Sequence, residues 1–107
     1  MIYRVTAKYR AEKAPEFYRK LTDGTIENQR PDGQEILASM ERATITNSDT
    51  IEWYETCYCA TPLAHERSTV YDFYLTEMNA AEVDDHGTSE GASFWDFLRK
   101  DSMPGSN

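Results

Sequence analysis

The chain has no long apolar run, and its opening residues (Met1-Ile2-Tyr3-Arg4-Val5-Thr6-Ala7-Lys8) carry no hydrophobic stretch of leader length. A membrane-crossing helix needs about 18 or more consecutive apolar residues, so none is expected, and the expected compartment is the cytoplasm. Cysteine is scarce, with only Cys57 and Cys59 present. Two cysteines make no disulfide framework. At this spacing on one strand both thiols would point to the same face of an extended backbone, which is poor geometry for a bond between them. Basic residues are nearly missing from the second half: residues 43–98 hold eleven Asp/Glu against the single Arg67, while residues 1–30 hold seven Lys/Arg against four acids. With a net charge of −8, the chain has no basic face of the kind that nucleic acid requires, and anionic membrane surfaces are disfavoured too. Repeats, low-complexity segments, a glycine-rich phosphate loop, a nucleophile elbow and a His-Glu-x-x-His helix are all absent from the sequence.

What is present suits one globular domain over residues 1–100, with 101–107 expected as a flexible tail. Hydrophobic residues make up 39% of the chain, too large a share for a disordered one. Seven Tyr outnumber four Phe and two Trp, which favours half-buried surfaces where a ring packs and a hydroxyl stays hydrogen-bonded.

Residues 2–9 alternate, with Tyr3, Val5, Ala7 and Tyr9 on one side, and read as a half-buried strand. Ala14, Phe17, Tyr18 and Leu21 follow helical spacing, with Pro15 in the first turn and Gly24 past the end. Pro31-Asp32-Gly33 is a turn signal. Residues 34–46 admit two readings. One is a helix capped by Asp32, with Ile36, Leu37, Met40 and Ala43 as its stripe; the other places a strand over 38–46. The second is favoured, because the strand-like run Ile51–Cys59 needs a partner and Asn47-Ser48-Asp49-Thr50 has hairpin length. Thr61-Pro62 then starts a helix with Leu63, Arg67, Val70 and Tyr74 on one face. Residues 76–83 read as a strand, and Phe94, Phe97 and Leu98 as a closing helix capped by Ser89 or Ser93.

The resulting β-α-β-β-α-β order over residues 1–83 resembles the ferredoxin-like fold, and the chain is similar in size to the dimeric α+β-barrel group. That resemblance implies an α+β domain: an antiparallel four-stranded sheet with both helices on one face, a second copy against the other face, and small-molecule pockets between sheet and helices. The group includes cofactor-free oxygenases, isomerases and binding proteins, so the fold does not choose a function.

The candidate site rests on the hairpin. Its turn places Trp53 opposite Thr44, Glu55 opposite Arg42, and Cys57 opposite Met40. Glu55 then lies in a mostly apolar face with Arg42 as its partner. The arrangement is either a structural ion pair or the polar spot of a small-molecule site. Arg67 interrupts the apolar stripe of the second helix; it either reaches over the sheet or extends along its own stem to water. His65 is a candidate base or a solvated residue, and it does not face Glu66 on a helix. A short, Tyr-rich chain with two sheet faces to cover is expected to be a homodimer, and these residues imply that it binds a small polar metabolite through Arg42, Trp53 and Arg67. One alternative is a cofactor-independent enzyme using Glu55 or His65 as acid and base. Another is a metal-binding protein using Cys57, Cys59 and His65, although the spacing matches no strong zinc signature. No cofactor is implied, and no metal is expected to be needed for folding.

Overall fold

A computed structural model describes residues 1–102. The chain opens as its pattern implies. Strand β1 (Ile2–Tyr9) buries Tyr3, Val5 and Ala7, and directs Arg4, Thr6 and Lys8 to the opposite side. A single tight turn (Ala11–Lys13) leads into helix α1 (Ala14–Thr22), which has Pro15 in its first turn and buries Ala14, Phe17 and Leu21.

The ambiguous stretch resolves as helix. Helix α2 (Gly33–Arg42) buries Gly33, Ile36, Ser39 and Met40, spacings of three and four that suit a helix and no strand. The strand expected over 38–46 shrinks to β2 (Thr44–Ile45), which pairs with β3 (Thr50–Thr56) in the register Ile45 to Ile51 and Thr44 to Glu52. Trp53 and Glu55 therefore have no β2 partner. Their neighbours across the sheet are Val5 and Tyr3 of β1.

Segments Ala64–Glu66, Arg67–Tyr71 and Asp72–Tyr74 run on as one helix, α3 (64–74), whose middle stretch is π-helical. Its start is later than Thr61-Pro62 suggests, because Leu63 adopts a left-handed conformation (φ 58) and the Ala64 amide bonds back to the Thr61 carbonyl. The Ser68 and Thr69 hydroxyls both donate to the His65 carbonyl, at 3.1 and 2.8 Å, and so compete with the backbone for that acceptor. The wider turn brings Glu66, Val70 and Tyr74 onto the buried face, with Tyr71 beside them. Arg67, expected on that face, is exposed and pairs with Asp72 at 3.4 Å.

Strand β4 (Leu75–Val83) pairs with β1, with a register slip between Thr6 and Lys8 where Glu77 takes a left-handed conformation (φ 51). Strand β5 (Ala92–Ser93) pairs with β2. Helix α4 (Phe94–Ser102) follows, and Ser93 Oγ caps it by accepting from the Asp96 amide at 3.1 Å. The helix takes in Asp101 and Ser102, assigned above to the tail; residues 103–107 lie outside the described residues.

The described residues thus form an α+β fold, with a five-stranded antiparallel sheet in the order β4-β1-β3-β2-β5 and four helices. The expected four-stranded β-α-β-β-α-β scheme lacks both α2 and β5. Buried residues of all four helices join those of β1 and β3 in one core, in which Phe17 stacks on Tyr74 at 4.4 Å. Burying a side chain of this size stabilises the fold by about 2 kcal/mol. Residues 84–91 run over the opposite sheet face. There Ser89 Oγ lies 2.7 Å from Thr44 Oγ1, and His86 Nε2 lies 2.9 Å from Thr56 Oγ1.

Candidate functional site

The inner face of β3 carries Ile51, Trp53 and Glu55, and Cys57 follows just past its end. Glu55 is completely buried. Its Oε1 accepts two hydrogen bonds, from Trp53 Nε1 at 2.8 Å and from the Tyr71 hydroxyl at 2.7 Å. Its Oε2 finds no donor among the described residues. Burial pushes the carboxyl up to about 8; the two donors pull it down, and the neighbouring Glu66 carboxylate adds to the rise. Desolvation therefore outweighs hydrogen bonding, and Glu55 holds a proton at neutral pH. Burial, followed by the charge of Glu55, also raises the Tyr71 phenol well above its ordinary value.

Glu66 enters the same interior from α3. Its Oε1 accepts from both thiols, Cys57 Sγ at 3.7 Å and Cys59 Sγ at 3.5 Å. The Cys59 amide donates to Cys57 Sγ at 3.3 Å. Even so, burial pushes the Cys57 thiol up to about 12. At neutral pH it is no thiolate and is a poor nucleophile.

Cys57 and Cys59 also form part of the wall of a cleft of about 370 Å³, completed by Pro31, Asp32, Glu35, Thr56 and Tyr58. Two segments meet there, the start of α2 and the end of β3. Glu35 is already engaged, accepting from the Arg42 guanidinium and from the Thr56 amide, each at 3.0 Å. Asp32 Oδ2 lies 2.7 Å from His65 Nδ1. Asp32 Oδ1 is buried and finds no donor among the described residues. Tyr58 is 88% exposed and stands at the rim.

Several expected partners fall elsewhere. Arg42 ends helix α2 rather than facing Glu55, and its Nε and Nη2 donate to the Tyr54 carbonyl at 3.1 and 2.6 Å. Arg42 and Trp53 do share a smaller cleft of about 200 Å³ with Tyr54 and residues 87–89. Arg67 lines neither cleft. His65 turns to Asp32 and leaves the thiols to Glu66, so the Cys57, Cys59 and His65 set is replaced by Cys57, Cys59 and Glu66. Neither Glu55 nor His65 lines the 370 Å³ cleft; His65 reaches it through Asp32. The sequence reading passed over Glu66, Tyr71 and Glu35 as site residues, and gave Asp32 only a capping role. One signal for Glu66 was legible: it stands four residues before Val70 and eight before Tyr74.

Because Arg42 and Glu55 share no partner, a double-mutant cycle of Arg42→Met and Glu55→Gln is expected to be additive within about 0.5 kcal/mol. Urea unfolding of the four proteins checks this; a coupling of several kcal/mol would restore the cross-strand pair.

No family model matches the chain, and no curated protein or solved structure matches it.

Proposed function

We propose that this protein binds a small, largely apolar amine in the cleft between the start of α2 and the end of β3. The observation that carries this reading is Asp32, which lines a 370 Å³ cleft and whose carboxylate keeps one oxygen, Oδ1, without a donor among the described residues. A ligand's ammonium group would offer that carboxylate a donor and a compensating charge. Pro31, Cys57 and Cys59 offer apolar contact to the rest of such a ligand, and the Tyr58 ring at the rim suits a cation. The acidic balance of residues 43–98 favours the same sign of ligand.

The experiment is a titration with a panel of small primary amines and their isosteric alcohols, followed by amide and side-chain NMR shifts. Amines are expected to move Asp32, Tyr58 and Cys59 resonances, and the alcohols are not. Asp32→Asn is expected to weaken amine binding about tenfold or more, from loss of a charge-assisted hydrogen bond. Equal binding of amines and alcohols, or no effect of Asp32→Asn, would overturn the reading.

A second reading, a cofactor-independent enzyme, rests on the contact between His65 and Asp32, which links an imidazole to the cleft wall. In it His65 is the acid/base group; Glu55, enclosed behind Trp53 and Tyr71, does not reach a ligand directly. The kinship with the ferredoxin-like group is likewise a proposal, supported by the antiparallel pairing of β1 with both β3 and β4. A homodimer through the face opposite the helices would have to cover Arg4, Thr6, Lys8 and Glu52, including the Arg4–Glu52 ion pair at 3.2 Å. Sedimentation at micromolar concentration tests that assembly.

A further inference from the structure

Behind the cleft wall, two sulfurs and a carboxylate converge. One ligand atom from each of Cys57, Cys59 and Glu66 lies within 4.8 Å of the others. The two sulfur-to-oxygen distances, 3.7 and 3.5 Å, can be set against a coordination figure. With metal–sulfur bonds near 2.3 Å and metal–oxygen bonds near 2.1 Å, a tetrahedral zinc site has sulfur-to-oxygen edges of about 3.6 Å. Both sulfur-to-oxygen edges already match those that such an ion requires, and all three ligand atoms lie within 4.8 Å of one another.

We propose that Cys57, Cys59 and Glu66 form a three-ligand site for a divalent cation of the zinc class, with its fourth position opening on the cleft. Direction follows from burial. Glu66 is enclosed and approaches from the interior, whereas Cys57 and Cys59 both line the cleft, so the remaining vertex of the tetrahedron is assigned to the cleft side. Two thiolates select a borderline or soft ion over magnesium or calcium. A site with three protein ligands and one open position is of the kind that takes water or substrate.

One further feature fits this assignment. The Cys59 amide donates to Cys57 Sγ at 3.3 Å, an outer contact of the kind that orients a ligating sulfur. Charge also balances. Loading exchanges two thiol protons for one divalent ion: two S–H bonds break, two metal–sulfur bonds form, and the protons leave to solvent. The buried cluster carries the same net charge before and after.

The test uses the whole reduced, chelator-treated protein titrated with cobalt(II) in dilute buffer. One cobalt per chain is expected, with a near-ultraviolet sulfur-to-cobalt charge-transfer band and the visible bands of a tetrahedral site. About two protons should be released per ion, and zinc should displace the cobalt. Cys59→Ser, at a half-buried position that leaves the core intact, is expected to lose most of the charge-transfer intensity. Cobalt uptake without a charge-transfer band, or an unchanged band in Cys59→Ser, would overturn the proposal. The proposal does not rest on the amine reading. Loss of amine binding in Asp32→Asn with the cobalt band retained, or the reverse pattern in Cys59→Ser, shows which of the two stands.

Discussion

Replacing Glu55 with glutamine is expected to stabilise the metal-free protein by about 3 kcal/mol at pH 7. In the folded chain the carboxyl holds its proton up to a pKa of about 8, against an ordinary value of 4.5. Unfolding at neutral pH releases that proton, which favours the unfolded state. The sign follows from the raised folded-state pKa: this group's contribution is fully present below about 4.5 and is lost as pH rises through about 8. Glutamine removes the titration and keeps the shape. Its amide oxygen accepts from Trp53 and Tyr71 as Oε1 does, and its NH2 takes the place of the protonated Oε2. Urea unfolding with a chelator present should show no gain at pH 4, about 3 kcal/mol at pH 7, and about 5 kcal/mol above pH 8. A gain independent of pH, or none at pH 7, would mean that Glu55 is ionised in the folded protein. A residue that lowers stability at the pH of use is the kind retained for a role other than holding the fold.

Gly33→Ala is expected to destabilise the protein by about 3 kcal/mol, the upper range for an overpacked site. The reason is a close approach of backbone to backbone at the start of α2. A Cβ on residue 33 would stand 2.1 Å from the Ile26 carbonyl oxygen and 2.8 Å from that of Glu27. Neither atom can swing away as a side chain does, so the loop or the helix must move. The helix carries Asp32 and Glu35 at this end, so the cleft should widen and amine binding should fall with stability. Gly87→Ala is the control. Its Cβ would meet only the far end of the Tyr54 ring, at 2.8 Å, and a small ring rotation relieves it. A loss under about 1 kcal/mol is expected there. Thermal unfolding of the two variants side by side checks the contrast; equal effects would remove the argument from backbone proximity.

Much of the fold was legible in the sequence because the periodic segments carry their own environment. The alternation of Tyr3, Val5 and Ala7, the spacing of Ala14, Phe17 and Leu21, and the run Ile51 to Glu55 each indicate which face is buried. Residues 34–46 misled because both a helix and a hairpin satisfy their local pattern. The deciding factor is the packing of Gly33 against Ile26 and Glu27, a contact between segments that no local propensity reports. That one difference moved Arg42 from the hairpin to a helix end and removed its pairing with Glu55. Glu66 was missed for a related reason. The π-helical stretch changes the phase of α3, so the inward position falls on Glu66 instead of Arg67. The cleft joins residues 31–35 to 56–59, two stretches far apart in the chain, and it has no sequence signature at all.

The sheet's two borders bear on how the protein keeps to itself. A border strand offers unpaired amides and carbonyls, and a long flat one recruits strands from other chains into aggregates. Here one border is β5, only two residues long and turned at once into α4. The other is β4, nine residues long, but kinked where its pairing with β1 slips, held left-handed at Glu77, and studded with Glu77 and Glu82. A neighbouring chain brought alongside would meet a bent backbone and like charges. Edge-to-edge growth into fibres is thereby opposed at both ends of the sheet by shape and repulsion, with no second domain needed to cover them.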